Sequence, residues 1–209
     1  MKRGALIVIE GVDRTGKSTQ SKILVESLKK RNINAEYRNF PSRETEIGHV
    51  INEYLTKNIN VSDEAIHLLF SANRWEKAHN MMKTLEAGVT IILDRYCYSG
   101  VAFSAAKGLD LKWCKSPDAG LPKPDKVFFL NLPFQTIVER KGFGQERYEV
   151  LDFQRKVYNM YSKLHEENWD ILNANRSIED IQEELLNKTF EIVEDIGDKP
   201  VEKLWVDDI

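Results

Sequence analysis

Residues 11–18 read G-V-D-R-T-G-K-S, the spacing of a phosphate-binding loop. In such a loop the glycines let the backbone curl, so that several N–H groups and the positive end of the following helix converge on phosphate oxygens. Gly11, Val12, Asp13, Arg14, Thr15, Gly16, Lys17, Ser18 and Thr19 would then surround a nucleotide triphosphate. Lys17 would reach its outer phosphates, and the Ser18 hydroxyl would be offered to magnesium. An apolar run over residues 5–9 leads into the loop, and a helical pattern from Lys17 through Leu24, Val25 and Leu28 leaves it. Strand before and helix after is the context a chance match lacks. Kinases, hydrolases and switch GTPases share this loop, so the reaction must be read from other residues.

The apolar run Ile91-Ile92-Leu93 ends on Asp94, which sets a carboxylate at the carboxyl edge of a sheet, where such folds bind ligands. An Asp there holds magnesium directly or through water; the plainer alternative is a helix N-cap. Arg95 follows at the same edge, close enough to bridge two phosphate groups. Arg14, inside the loop, can bend over the transferred group as an arginine finger supplied in cis. Lys17, Arg14 and Arg95 are therefore the expected catalytic cations. Asp13 is awkward, because a carboxylate in an anion-binding loop repels phosphate unless a cation or a hydroxyl compensates it; otherwise it points to solvent. Phe40-Pro41-Ser42-Arg43 closes another strand and brings Arg43 to the cleft. Phe70 and Arg74, four apart, share one helix face. A ring and a guanidinium together suit a planar base with a carbonyl acceptor, the alternative being a core Phe beside a surface Arg.

Five apolar or β-branched runs, at residues 5–9, 35–40, 89–93, 126–130 and 169–172, alternate with helical periodicity. That alternation predicts an α/β fold, a five-stranded parallel sheet covered by helices on both faces. The longest helix spans residues 63–86, with Ser62 as N-cap and Gly88 beyond its end; two more span 150–167 and 178–193, the last opened by Ser177. Leu68, Leu69 and Trp75 on the long helix read as packing residues, and His67 as a surface or partly buried histidine. His49, His79 and His165 have no partner at metal-ligand spacing. Two glycines and several charges at residues 141–147 suggest a mobile segment able to close over a ligand.

The 209 residues fit one domain with a substantial core. The formal charge of −3, with 30 basic and 33 acidic residues interspersed, leaves no broad basic face for nucleic acid. The short strand after the N-terminal Met-Lys-Arg-Gly is too brief for a signal-peptide core or a membrane span. Cys97 and Cys114 read as ordinary packing residues of a protein in a reducing, cytoplasmic setting, nuclear and organellar pools being alternatives.

Taken together the residues resemble the thymidylate kinase family, a branch of the nucleoside monophosphate kinases, nearly end to end. The blocks are R-G-A-L-I-V-I-E-G-V-D-R-T-G-K-S-T-Q at residues 3–20, F-P-S-R at 40–43, T-E-I-G at 45–48, H-L-L-F-S-A-N-R-W-E at 67–76, D-R-Y-C-Y-S-G-V-A-F at 94–103 and G-L-P-K-P-D at 120–125. The resemblance implies a three-layer P-loop fold with a lid at about residues 140–148, a homodimer, and ATP- and Mg²⁺-dependent phosphorylation of dTMP. It places Phe70 on the thymine ring, Arg74 on its carbonyl, and Arg43 and Arg95 on the acceptor phosphate. Asp13 would accept from the sugar 3′-hydroxyl, which resolves the awkward charge. Phe40, Ser99, Gly100, Phe103, Tyr148 and Gln154 would complete the acceptor site, Tyr148 crowding out a 2′-hydroxyl, and Arg140 would contact adenine. Family members carry the catalytic arginine in the phosphate loop or in the lid. Arg14 puts this chain with the first kind and leaves Arg147 no catalytic role, while Lys141 and Gln145 stand at variable positions. Two readings compete: a related kinase accepting dUMP or dGMP, and a nucleotide-binding switch, for which the guanine-reading N-K-x-D signature is missing.

Overall fold

The computed structural model describes residues 2–140 and 144–207. Five parallel strands form one sheet in the order β2-β3-β1-β4-β5: β1 Leu6–Glu10, β2 Ala35–Asn39, β3 Thr90–Asp94, β4 Lys126–Asn131 and β5 Trp169–Asn173. The central strands are continuous apolar runs because both faces are covered. Leu6, Ile7, Val8 and Ile9 are fully buried, each worth roughly 1.5–3 kcal/mol of burial. Register pairs Ile9 with Asp94, so the chain leaves β1 and β3 at adjacent points of the carboxyl edge.

The helices are α1 Lys17–Lys30, α2 Glu46–Leu55, α3 Asp63–Glu86, α4 Cys97–Ala106, α5 Leu111–Lys115, α6 Phe134–Glu139, α7 Leu151–Leu164 and α8 Ile178–Asp195, with a 3₁₀ turn at Ser116–Asp118. Helix α1 packs on α8, and α4 packs against both α3 and α7. The expected span of α3 matches the observed one, and Ser62 caps it by accepting from the Ala65 N–H at 3.3 Å. Ser177 caps α8 in the same way, from Asp180 at 3.1 Å. Helix α7 stops three residues short of the expected end, because the chain turns extended at His165 before entering β5. Among the described residues, four further helices, α2, α4, α5 and α6, had no expected bounds. Of these, α4 is buried nearly all round, so its sequence carries no amphipathic stripe to read.

Three expectations for α3 require correction. His67 is fully buried, held between Ser104 Oγ at 2.7 Å and the Cys114 carbonyl at 2.9 Å. Leu68 and Trp75 are 47% and 43% exposed and pack no core; Leu69 does pack, against a small cluster of Ile51, Tyr54, Leu55 and Ile66. The cause is that the buried stripe of α3 runs through His67, Ser71, Arg74, Ala78, Met81 and Leu85. Polar residues occupy its inward face, which turns Leu68 and Trp75 outward two turns apart. Cys97 and Cys114 are buried and unpaired, and burial pushes the Cys97 thiol well above the usual thiol range.

Candidate active site

The loop between β1 and α1 begins and ends on left-handed glycines. At Gly11 (φ 144°) an added Cβ would lie 2.8 Å from the Leu130 carbonyl oxygen, so only glycine permits this approach to β4. Arg14 (φ 64°) and Arg95 (φ 68°) also adopt left-handed backbone. That conformation costs a non-glycine residue of order 1–3 kcal/mol and persists where the surroundings over-determine it. Lys17 is buried, its ammonium donating to the Val12 carbonyl at 2.7 Å. Burial, reinforced by the Arg95 charge, lowers its pKa to about 8.

Ser18 Oγ donates to Asp94 Oδ2, and Tyr37 OH donates to the same oxygen at 3.3 Å. Asp94 is thus not the cap of α4. That role falls to Glu10, a fully buried carboxylate that accepts from the N–H groups of Tyr96 and Ser99 at 2.9 and 3.1 Å. Glu10 also accepts from Ser99 Oγ at 2.6 Å and Tyr161 OH at 2.9 Å. Four donors around one carboxylate satisfy it and set the angle at which α4 leaves β3.

Asp13 faces neither solvent nor an uncompensated field. Arg95 Nη2 donates to its Oδ1 and Gln154 Nε2 to its Oδ2 at 2.6 Å, while the Asp13 N–H donates back to Gln154 Oε1 at 2.9 Å. Arg95 Nη1 reaches Ser99 Oγ at 3.1 Å and the Gly11 carbonyl at 3.2 Å. Burial opposes the Arg95 charge, but Asp13, Tyr161, Glu10 and Asp94 raise its pKa above the ordinary value. Arg14 Nε donates to Glu149 Oε1 at 2.7 Å, and Arg140 Nη1 donates to the Arg14 carbonyl at 2.7 Å.

Beside the loop lies a pocket whose walls include Phe40, Phe70, Arg74, Gly100, Phe103 and Tyr148. Tyr148 stacks on Phe153 at 5.4 Å and tilts against Phe103 at 5.3 Å. Arg74 reverses the plainer expectation of a surface arginine, since it is buried and held at two points by Asp118, Nε to Oδ1 at 2.9 Å and Nη2 to Oδ2 at 2.6 Å. Gly100 makes room for it: a Cβ there would sit 2.8 Å from Arg74 Nη2. Arg43 donates to Asn52 Oδ1 at 2.9 Å and Glu146 Oε1 at 2.8 Å. Its turn is pinned by Asn73, which exchanges hydrogen bonds with the Ser42 N–H and carbonyl at 2.7 and 3.0 Å.

Of the segment expected to act as a lid, residues 141–143 lie outside the described residues. The rest is held by Glu149 Oε2, which accepts from the N–H groups of Gly144, Gln145 and Glu146 at 2.9–3.1 Å. Although burial raises it, Arg14 and these N–H groups leave the Glu149 pKa below its ordinary value. Arg147 turns away, donating to the Tyr54 and Ile59 carbonyls at 2.8 Å.

Gly11, Val12 and Thr15 lie behind the loop surface and Gln154, fully buried, reaches the site through Asp13; the other expected residues line two adjoining clefts. One is bounded by Gly16, Lys17, Ser18, Thr19, Asp94 and Arg140; the other is the aromatic pocket. Asp13, Phe40, Arg43 and Arg95 border both. Sequence reasoning missed Glu10, Asp118, Glu146 and Glu149, acidic residues whose side-chain partners are distant in the chain. Only Glu10, a charge closing an otherwise apolar strand, carried a local signal.

A family model described as thymidylate kinase matches residues 9–185. A thymidylate kinase from Homo sapiens is 46% identical over 208 residues, covering 98% of both chains. One from Schizosaccharomyces pombe is 48% identical over 191 residues, covering 88% of this chain and 91% of that protein. Among solved structures, a thymidylate kinase from Candida albicans superposes with a TM-score of 0.88 at 39% identity, covering 97% of this chain and 98% of that one. A phosphate loop, a second pocket sharing its arginines, and likeness to these proteins along nearly the whole chain agree, and the chain belongs to the thymidylate kinase family.

Proposed function

We propose that the protein is a phosphotransferase that moves the terminal phosphoryl group of ATP to dTMP, yielding ADP and dTDP. The observation that carries this reading is the wall common to the two clefts: Arg43 and Arg95 border both the phosphate loop and the aromatic pocket. Two polyanions seated there would meet across a row of cations. The acceptor phosphate is already ionised at neutral pH, so its oxygen attacks the terminal phosphorus without a general base, and the bond to the bridging oxygen of ADP breaks. What the chain must supply is alignment and cancellation of repulsion. Lys17 and Arg14 serve the donor phosphates, Arg43 and Arg95 the acceptor phosphate, and Phe70 with Arg74 the base. Asp13 receives the sugar 3′-hydroxyl, while Phe40, Ser99, Gly100, Phe103, Tyr148 and Gln154 enclose the nucleoside. Arg140, beside the Arg14 carbonyl, covers the adenine side.

The hydroxyl of Ser18 and the carboxylate of Asp94, already in contact, are the oxygen donors a hard cation takes, and few protein ligands suffice for one that keeps its waters. They would hold Mg²⁺, which when bound neutralises phosphate charge.

The outward Leu68 and Trp75 support a homodimer formed through α3. We take residues 1–209 as one functional unit with a lid near 140–148, and place it in the cytoplasm, which suits two unpaired thiols. No helix among the described residues is long and apolar enough to cross a membrane.

Coupled detection of ADP release tests the reading across dTMP, dUMP, dGMP, UMP, CMP and AMP. Release that depends on the acceptor, with dTMP giving the highest kcat/KM, is the expected result. Equal release with no acceptor would instead describe a hydrolytic switch.

A further inference from the structure

Asp118 is fully buried, and its two carboxylate oxygens are spent on Arg74 Nε and Nη2 and on Ser71 Oγ, the last at 2.7 Å. Buried charge pairs are not by themselves stabilising, because desolvating both ions offsets their attraction. Such a pair beside a ligand pocket calls for another account, and its geometry supplies one. With Nε and Nη2 both donating to Asp118, the guanidinium plane is fixed, and Nη1 has no hydrogen-bond partner among the described residues. Arg74 lines the pocket together with Gly100, the residue whose missing side chain gives the guanidinium its space.

The segment that carries Asp118 is itself restrained from several sides. Ser71 Oγ and Trp75 Nε1 donate to the Pro117 carbonyl at 2.9 and 2.7 Å. The far end of the chain ties down the other side, with the Gly120 N–H on the Leu204 carbonyl and the Leu204 N–H on the Leu121 carbonyl, each at 2.8 Å.

We propose that Asp118 is a positioning residue for base selection: by gripping two nitrogens of Arg74 it presents the third, Nη1, as a fixed donor to the ring carbonyl of the acceptor base. The proposal rests on the kinase reading above and deepens it. A donor fixed in this way favours a pyrimidine with a carbonyl at the contacted position and penalises one with an amino group there, because two donors would then face each other without an acceptor. A guanidinium free to rotate would lose part of that discrimination. Asp118 touches no substrate, so its effect falls on acceptor KM and on selectivity rather than on the transfer step.

The test compares the intact enzyme with Asp118→Asn and Ser71→Ala, using dTMP and dCMP as acceptors, with circular dichroism to establish that each variant is folded. For Asp118→Asn we expect the dTMP KM to rise about tenfold with kcat changed far less, and the dTMP-over-dCMP ratio of kcat/KM to fall about tenfold, the scale of one charged hydrogen bond. Ser71→Ala, a smaller cut at the same carboxylate, should move both quantities the same way by about threefold. If Asp118→Asn does not fold, Ser71→Ala decides alone. A folded variant with unchanged dTMP KM and unchanged selectivity overturns the inference, as does a loss confined to kcat. Failure of the parent enzyme to phosphorylate dTMP would instead overturn the kinase reading, so the two failures are distinguishable.

Discussion

Glu149 joins residues 144–146 to the phosphate loop: its Oε1 accepts from Arg14 Nε at 2.7 Å while its Oε2 gathers the three successive backbone N–H groups of that segment. One carboxylate thus holds both the guanidinium expected over the transferred phosphoryl group and the backbone of the segment proposed to close on it. Glu149→Gln keeps the shape and removes the charge. We expect kcat to fall by about tenfold, the loss of a charge-assisted hydrogen bond. Amide exchange at residues 144–146 should quicken in parallel; unaltered exchange would separate the lid from this carboxylate.

Arg14→Ala should lower kcat by about 10²–10³ and leave the dTMP KM nearly unchanged, because the cation acts on charge that develops in transfer. A raised dTMP KM at constant kcat would move Arg14 out of the catalytic role.

Arg74→Ala should raise the dTMP KM about tenfold to a hundredfold, from roughly 1.5–3 kcal/mol for a hydrogen bond to a charged group. It should also destabilise the fold by roughly 3–5 kcal/mol, since Asp118 is left buried and charged with only the Ser71 hydroxyl beside it and no cation. Urea denaturation alongside steady-state kinetics reads both effects. Normal stability would show that the pair at 2.6 Å does not persist in solution.

Lys17 gives ATP binding a pH dependence of definite sign. Its pKa in the free protein is lowered to about 8, and bound phosphate favours the ammonium, so binding raises it again. Affinity for ATP is therefore full below pH 8 and weakens above it, by about tenfold between pH 7 and pH 9. Calorimetric titration at pH 8.5 in buffers of different ionisation enthalpy should register proton uptake. No uptake would mean that Lys17 is fully charged beforehand.

Removal of residues 200–209 deletes the strand-like ties from Leu204 to Gly120 and Leu121 and the buried Trp205. We expect a lower Tm and a higher dTMP KM, with the ATP KM little changed, because the strap supports the segment that carries Asp118. Equal loss of affinity for both nucleotides would point to general unfolding.

The strands of the sheet were legible because β1, β3 and β4 are buried on both faces and read as continuous apolar runs, and the phosphate loop because its positions are local in sequence. Helix α3 shows the limit. Its span follows from Ser62 and the periodicity that ends before Gly88, yet its inward face could not be read. Apolar Leu68 and Trp75 look like core, whereas His67, Ser71 and Arg74 form the buried stripe, since each finds a polar partner from a distant segment: Ser104 and the Cys114 carbonyl, the Pro117 carbonyl, and Asp118. Helix α4 was unreadable for the opposite reason, being buried nearly all round.

By itself the sequence determined the chemistry on offer: a loop for phosphates, Asp94 and Arg95 at the end of a strand, Phe70 and Arg74 one turn apart. Local spacing suffices for such features because backbone geometry fixes neighbours within a turn or a strand. Tertiary structure alone decided the charge partners. Asp13 with Arg95 and Gln154, Arg14 with Glu149, Arg43 with Glu146 and Arg74 with Asp118 join residues 44 to 141 positions apart. An ion pair depends on distance in space and on the water excluded around it, and the order of residues along a chain encodes neither until the sheet has brought its edges together.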